Sequence, residues 1–558
     1  MSTNANASDS AAFDLANYAP KLSMRLTSWT GNRAGERIWK KDPTFWPQAA
    51  PSDVQTRLGW LSLPTTMPPT IPDLRQFADA VRAEGFEHIL LFGMGGSSLA
   101  PEVFARTFGS APGFPDLVVV DSTHPEAVAR LIRADAVGRT LFIVSSKSGT
   151  TLEPNAFFRY AWAKASAASP SPGKQFVAIT DPGTPLQALA EQRGFRRCFL
   201  ATSDVGGRYS ALTAFGIVPC ALIGHDPTAL LASARSMSEA CGPSVSVAEN
   251  PGLRLGAALG ELALAGRDKV IFLTSPGVSA FPSWVEQLIA ESLGKQGRGL
   301  VPVPHESRPT ESMGRRDGAL VRLQLKGESD PAVESALNAA SKEGMPVLRF
   351  EVADREELGR EIFRWEFAVA AVGSVIGVNP FDQPDVELAK QLARDAMKPV
   401  AGAPAPTPSG VTPVAASSAT LREQVEVWLE TARPGDYIAI QAFLSPSAET
   451  AAAVSELGAR LRDHTQLATT FGFGPRFLHS TGQMHKGGPP TGIFLQLVDE
   501  PTGDLEVPEM SMSFGRILKA QAAGDALALL QKGRRLLRVD LGADTVQGIR
   551  ALQATLHR

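Results

Sequence analysis

Leu141–Pro154, LFIVSSKSGTTLEP, runs a short apolar segment directly into five hydroxyl-bearing residues around one glycine. Leu141 to Val144 reads as a buried strand, Ser145 to Thr151 as a tight loop, and the pattern from Glu153 to Ala167 as a helix. Such a corner binds anions. The first N–H groups of a helix have no intrahelical partner, and the macrodipole places partial positive charge there. Ser145, Ser146, Ser148, Thr150 and Thr151 add neutral donors. The competing reading is that Ser148 or Thr151 only caps the helix. A cap would use one or two hydroxyls, whereas a phosphate monoester accounts for all five.

Outward from this corner, Ile71 to about Ile223 repeats a strand, loop and helix pattern. The strand candidates are His88–Phe92, Asp116–Val120, Leu141–Val144, Gln175–Ile179 and Arg197–Ala201. Helical-length segments separate them, which predicts a parallel sheet with helices on both faces. In such open sheets the ligand lies beyond the carboxyl ends of the strands. A second glycine- and serine-rich turn, GMGGSSLAPE at Gly93–Glu102, falls there too. It does not fit the dinucleotide GxGxxG spacing, because Ser98 stands where the third glycine belongs, and no GKS or GKT of a nucleotide loop occurs. Two hydroxyl-bearing turns on adjacent strand ends favour a small phosphorylated ligand.

A helical connector around Pro227–Cys241 leads to a second α/β unit. Its helices are expected at Leu253–Ala265, Ser283–Leu293 and from Arg355 towards Val375, and its strands at Lys269–Thr274, Leu300–Val303, Leu320–Leu325 and Val347–Phe350. NPFDQPDVELAKQLA, Asn379–Ala393, is a proline-bounded turn entering a helix with Glu387 and Lys390 one turn apart. KPVAGAPAPTPSGVTPVAASS, 398–418, reads as a linker. A third, smaller α/β unit follows at 419–558, with helices at Thr420–Ala432, Ala448–Arg462 and Leu518–Lys532 and strands at Tyr437–Leu444, Gly492–Val498 and Arg535–Leu541. It carries the loop RFLHSTGQMHKGGPP, Arg476–Pro490. At the other end, the first dozen residues read as a disordered tail, and Trp29, Trp39, Trp46 and Trp60 mark an arm that docks on a neighbour. The expected divisions are 1–70, 71–226, 227–397, 398–418 and 419–558.

The 558 residues suffice for several cores. A net charge of -3 without a basic stripe argues against nucleic acid, and no run of about 18 uncharged apolar residues argues for a membrane span. MSTNANASDSAAFD lacks the regions of a secretion signal, so a cytoplasmic chain is expected. Cys198, Cys220 and Cys241 read as reduced fillers, with neither a disulfide framework nor a zinc site.

Three further stretches hold chemistry. VGGRYSALTAFG, Val205–Gly216, sets Arg208 behind a glycine pair at the expected start of a helix, where it either caps a loop or pairs with a surface carboxylate, or joins a backbone N–H beside Gly207 in stabilising an oxyanion. AESLGKQGR, Ala290–Arg298, ends an apolar helix with Glu291, a solvated helix-end residue or, in an apolar cleft, a base acting at carbon. His479 and His485 lack a third metal ligand at a recognisable spacing and read better as acid/base groups.

GMGGSS, SSKSGTT, VGGRYSALTAFG, ESLGKQGRG, NPFDQPDVELAKQLA and HSTGQMHKGGP, in that order, resemble the glucose-6-phosphate isomerase family, in the bacterial form also found fused behind a transaldolase. The likeness runs from about Arg33 to His557. It implies two three-layer αβα sugar-isomerase (SIS) domains with parallel sheets, 71–226 and 227–397, plus a smaller C-terminal α/β domain. It also implies interconversion of glucose 6-phosphate and fructose 6-phosphate through a cis-enediolate, with no metal or cofactor, on a hexose 6-phosphate substrate, in a homodimer.

By the same resemblance, Ser97, Ser146, Lys147 (through its backbone N–H), Ser148 and Thr151 bind the phosphate, and Glu291 moves a proton between C1 and C2. Gly207 and Arg208 stabilise the enediolate, Gln383 meets the sugar, and Lys390 assists ring opening. His479 is the expected ring opener, with His485 the runner-up; the HSTGQ segment follows the glutamine and lysine motif here, whereas the commoner members place it earlier. The family also supplies this histidine across a dimer, so His479 is a candidate for the neighbouring subunit's pocket. Ser148 replaces the more usual threonine. Tolerance for mannose 6-phosphate and a non-catalytic sugar-phosphate sensor on the same domains are the alternatives; a sensor has no need of Glu291, Arg208, Gln383 and Lys390 together.

Overall fold

Strands rich in Val, Ile, Leu and Phe with no polar alternation must be covered on both faces, and the chain builds three sheets of that kind. A computed structural model describes residues 11–305, 316–397 and 412–556. The first sheet contains β2 (His88–Phe92), β3 (Asp116–Val120), β4 (Thr140–Ser145), β5 (Phe176–Thr180) and β6 (Arg197–Leu200), parallel throughout in the order β3-β2-β4-β5-β6. The second contains β7 (Lys269–Thr274), β8 (Val301–Val303), β9 (Gly318–Leu325) and β10 (Val347–Val352), ordered β10-β9-β7-β8. The third contains β12 (Tyr437–Phe443), β13 (Ala468–Phe473), β14 (Gly492–Val498) and β15 (Arg535–Asp540), ordered β15-β14-β12-β13. The expected α/β class with parallel sheets is therefore what the chain adopts.

One winding rule recurs in all three sheets: the first strand lies between the second and the third. The order reverses beside that first strand, and a crevice opens at the carboxyl ends there. In the first sheet the crevice lies between β2 and β4, the two strands that lead into GMGGSS and SSKSGTT.

The last two sheets each borrow an edge strand from a segment that precedes them. β1 (Ala12–Asp14) pairs antiparallel with β10, Phe13 opposite Leu348. β11 (Val414–Ala415) runs parallel to β15. Both strands correct the expectations for the ends of those segments. Composition predicts an unstructured tail through the first dozen residues, which the first strand enters only at Ala12, and a linker extending to Ser418, in which Val414 and Ala415 complete an open sheet edge. The rest of the expected tail, residues 1–10, and of the expected linker, residues 398–411, lie outside the described residues.

The helix Leu358–Ile376 is buried around almost its whole circumference, taking Glu361, Arg364 and Glu366 into the interior along with its apolar residues. Helices Thr228–Ala240 and Pro251–Leu264 and the tryptophan-rich arm pack around it. Trp46 is fully buried and donates its Nε1–H to the carbonyl of Ala370 at 2.7 Å, and Trp60 stacks on Tyr209 at 5.5 Å. One apolar cluster joins the first two sheets through Ile143, Val177, Phe272 and Val321. Another joins the second and third through Ile271, Val301, Tyr437 and Phe494.

Candidate active site

The helix Leu152–Ala168 begins where SSKSGTT ends, and Thr151 occupies its N-cap position without making a side-chain cap bond. That removes the capping alternative for Thr151, whose hydroxyl instead accepts from Ser146 Oγ at 3.2 Å. Ser148 and Thr150 pair hydroxyl to hydroxyl at 3.0 Å. Lys147 turns its ammonium onto the Asp181 carboxylate, which leaves its main chain as the part that faces the turn. Ser97 stands beside this loop: its carbonyl accepts from Ser145 Oγ at 2.8 Å.

Glycine in GMGGSS answers to close approach. Gly95 has φ +53°, and a Cβ there would lie 2.5 Å from the carbonyl oxygen of His479. One on Gly96 would lie 1.9 Å from the carbonyl of Gly207. The loop thus lets the Arg208 segment and the His479 segment close upon the first sheet.

Arg208 lies in a 3-10 turn, Gly207–Tyr209, and not at the start of the following helix, which begins at Ala214. It is buried and fully engaged. Nε donates to Ser292 Oγ at 2.7 Å, Nη1 to Gln383 Oε1 at 3.0 Å, and Nη2 to the carbonyls of Pro380 and Asp382 at 2.7 and 3.0 Å. Nη1 also lies 3.4 Å from Glu291 Oε1. Glu291 is therefore not a solvated helix end: its other oxygen accepts from Gln287 Nε2 at 3.0 Å, and the same amide reaches the carbonyl of His479 at 2.9 Å. Behind them Lys295 gives its ammonium to Asn379 O and Asp382; burial, with the Arg208 charge beside it, pushes its pKa down to about 8.

RFLHSTGQMHKGGPP is structured rather than a loop. A 3-10 turn spans Arg476–His479 and a short helix Gly482–Gly487. Gln483 bonds the carbonyl of Gly294 at 3.0 Å and Asp385 Oδ2 at 2.8 Å, locking the segment to the glutamate and proline-bounded loops. His479 pairs through Nε2 with Glu153 Oε1 at 2.9 Å within the same chain. Glu153 is 4% exposed. Burial works against its ionised form, but the His479 charge and hydrogen bond outweigh it and hold the carboxyl below the usual carboxylate range. The two histidines part company here. His485 lies between the rings of Phe477 and Phe494 and meets Gln441 at 3.2 Å, with its pKa driven far down by burial and by the Lys486 and Arg534 charges.

A cavity of about 990 Å³ lies between the helix Leu152–Ala168 and the helix Val386–Met397. Ser148, Thr151, Glu153, Lys390 and His479 line it; Ser97, Ser146, Lys147, Gly207, Arg208, Glu291 and Gln383 do not. His479 connects the two groups, with its ring in the cavity wall and its carbonyl on the Gln287 amide that holds Glu291. Lys390, 44% exposed at its side chain, pairs with Glu387 at 3.0 Å. No cluster of three or more His, Cys, Asp or Glu side chains suited to an ion occurs among the described residues.

The Phosphoglucose isomerase family model matches residues 73–299, a span that includes both glycine- and serine-rich turns, Arg208 and Glu291. A glucose-6-phosphate isomerase of Thermus thermophilus is 31% identical over 385 residues, covering 60% of this chain and 89% of that protein. The chain belongs to the glucose-6-phosphate isomerase family. A second member, from Heliobacterium modesticaldum, is 30% identical over 390 residues, 60% of this chain and 85% of its own. Among crystal structures, a hypothetical protein from Thermus thermophilus superposes with a TM-score of 0.60 at 26% identity, over 70% of this chain and all of that one. A glucose-6-phosphate isomerase from Chlamydia trachomatis shares the fold, with a TM-score of 0.55 at 20% identity over 66% of this chain and 84% of its own. His479 lies beyond the span the family model matches.

Motif reading passed over Glu153, Gln287 and Gln483 as site residues. Glu153 carried the clearest signal, a carboxylate in the first turn of the helix expected to meet a phosphate, where two negative groups would stand together unless a cation pairs with one of them.

Proposed function

We propose that this chain interconverts glucose 6-phosphate and fructose 6-phosphate by acid/base chemistry. The observation that carries the proposal is the contact of Glu291 with Arg208: a carboxylate base and a buried guanidinium 3.4 Å apart, tied through Gln287 to the His479–Glu153 pair. Ser97, Ser146, Ser148, Thr151 and the backbone of Lys147 hold the phosphate, and that non-reacting group fixes the sugar relative to the base. His479, oriented by Glu153 and aided by Lys390, moves a proton between O1 and the ring oxygen to open the hexose. Glu291 then removes the C2 proton; the electron pair moves into a cis-enediolate whose charge faces Arg208 and the backbone at Gly207. Gln383 aligns the hydroxyls while the O2 proton passes to O1, and Glu291 returns its proton to C1 as the C2 carbonyl forms.

The substrate is a hexose 6-phosphate, and nothing in the scheme uses a cofactor. The 71–226 and 227–397 segments act as the two sugar-isomerase domains, with 419–558 closing over them. A homodimer in the cytoplasm completes the reading; Cys198 and Cys220, outside any disulfide, suit a reducing compartment, and no helix among the described residues is long and apolar enough to cross a membrane.

The test is fructose 6-phosphate formation in a coupled assay, with glucose 6-phosphate and mannose 6-phosphate compared. Glu291→Gln should keep sugar-phosphate binding and lower turnover by about two to four orders of magnitude. Near-normal turnover in that variant would remove Glu291 from its role. Equal rates on the two sugars would make the enzyme a dual-specificity isomerase.

A further inference from the structure

Glu153 Oε1 accepts twice. Besides His479 it takes a hydrogen bond at 2.6 Å from Nε2 of Gln521, which lies on the helix Phe514–Gln531 and is 5% exposed in the cavity wall. The opposite end of that amide is fixed as well: Gln521 Oε1 accepts from Oγ1 of fully buried Thr123 at 2.9 Å. An ionised carboxylate only accepts, so the amide must turn its NH2 group to Glu153 and its oxygen to a donor, here the Thr123 hydroxyl. One helical turn beyond, Asp525 binds the Lys486 ammonium on the short helix that follows His479. The helix Phe514–Gln531 thereby grips both the histidine segment and its carboxylate partner.

We propose that Gln521, set by Thr123, is a positioning residue for ring opening: it holds the Glu153 carboxylate in the one orientation that engages His479. The proposal rests on the ring-opening role given to His479 above. An ionised Glu153 only accepts, so Nε2 of His479 carries the hydrogen it shares with the carboxylate, and whenever the ring is neutral Nδ1 is the nitrogen able to accept from the sugar. Without the amide, Glu153 rotates among alternative acceptor geometries and loses a donor that favours its ionised form.

The charged groups around the pair are Lys390 from the helix Val386–Met397, Asp121 at the end of β3, held by Arg476, and the Lys486–Asp525 pair. Activity that needs ionised Glu153 falls away as pH drops through its folded pKa. Removing the amide raises that value, so the acid limb moves to higher pH.

The experiment compares Gln521→Met and Thr123→Val with the unaltered enzyme on two substrates: cyclic glucose 6-phosphate, and an aldose 6-phosphate lacking the 4- and 5-hydroxyls, which cannot close a ring. Gln521→Met should lower kcat on the cyclic sugar about tenfold, the size of one lost hydrogen bond to a charged group. It should leave the open-chain rate unchanged and shift the acid limb upward, with Thr123→Val moving both in the same direction by less. An equal loss on both substrates, or an unmoved acid limb, would overturn the assignment. His479→Ala serves as the control: if it lowered both substrates alike, the ring-opening reading itself would fall, a result distinct from a Gln521 variant that alone behaves like the parent.

Discussion

Thr151 and Glu366 differ in the use each makes of its polar atoms. Thr151 sits at a helix N-cap and leaves the cap unmade, although that bond is worth about 1 kcal/mol to a helix. Its oxygen accepts from Ser146 instead, which keeps the hydroxyl's own hydrogen for a further acceptor. Glu366 is the opposite case. It is fully buried in the helix Leu358–Ile376, neither carboxyl oxygen has a hydrogen-bond partner among the described residues, and burial pushes its pKa well above the ordinary carboxyl value. Its folded pKa exceeds its unfolded one, so its contribution is intact below the ordinary carboxyl range and is lost as pH rises, by about 1.4 kcal/mol per pH unit until the folded value is reached. Glu366→Gln removes this slope. Urea unfolding at pH 5 and pH 8 should find the variant's advantage over the parent growing between the two; a constant difference would mean that the carboxyl titrates normally.

At the scale of elements, the arm before the first sheet belongs to the core of the molecule. Trp46 closes over the long helix with its ring against Phe45 and Phe381 at 4.8 and 5.1 Å. Trp46→Ala should cost about 3–5 kcal/mol of stability, read from chemical denaturation, and a loss under about 1 kcal/mol would show the arm to be peripheral. The sequence made most elements plain. The strands His88–Phe92, Asp116–Val120, Lys269–Thr274 and Gly492–Val498 fall where their apolar runs place them, because strands of a parallel sheet covered by helices need mostly apolar runs. Strand Ala468–Phe473, with two threonines and a glycine, offers no such run and escaped notice. So did the helix Gly482–Gly487, whose glycines and histidine have poor helix propensity and which is held by Gln483 and Lys486 contacts made elsewhere. Glu291 and Arg208 were legible because each stands in a local motif. Gln521 was not, since its meaning depends on Glu153, 368 positions away.

At the scale of the whole molecule, the third sheet is no appendage. Tyr437 and Phe494 share a core with Ile271 and Val301, while Val507, Phe514 and Ile517 pack with Phe92 and Phe157 of the first unit. The C-terminal part therefore has two apolar attachments, and between them it presents His479 to Glu153 of its own chain. In the proposed scheme the His479–Glu153 pair works within one chain, and that has a consequence for inheritance. On that proposal each chain works with its own acid, base and phosphate groups, so two differently damaged alleles should not rescue one another. Chains carrying Glu291→Gln co-expressed with chains carrying His479→Ala should stay as inactive as either alone, and recovered activity in the mixture would place the histidine in trans. Output should then track the number of intact gene copies in a straight line, with no dominance of a broken copy over a sound one.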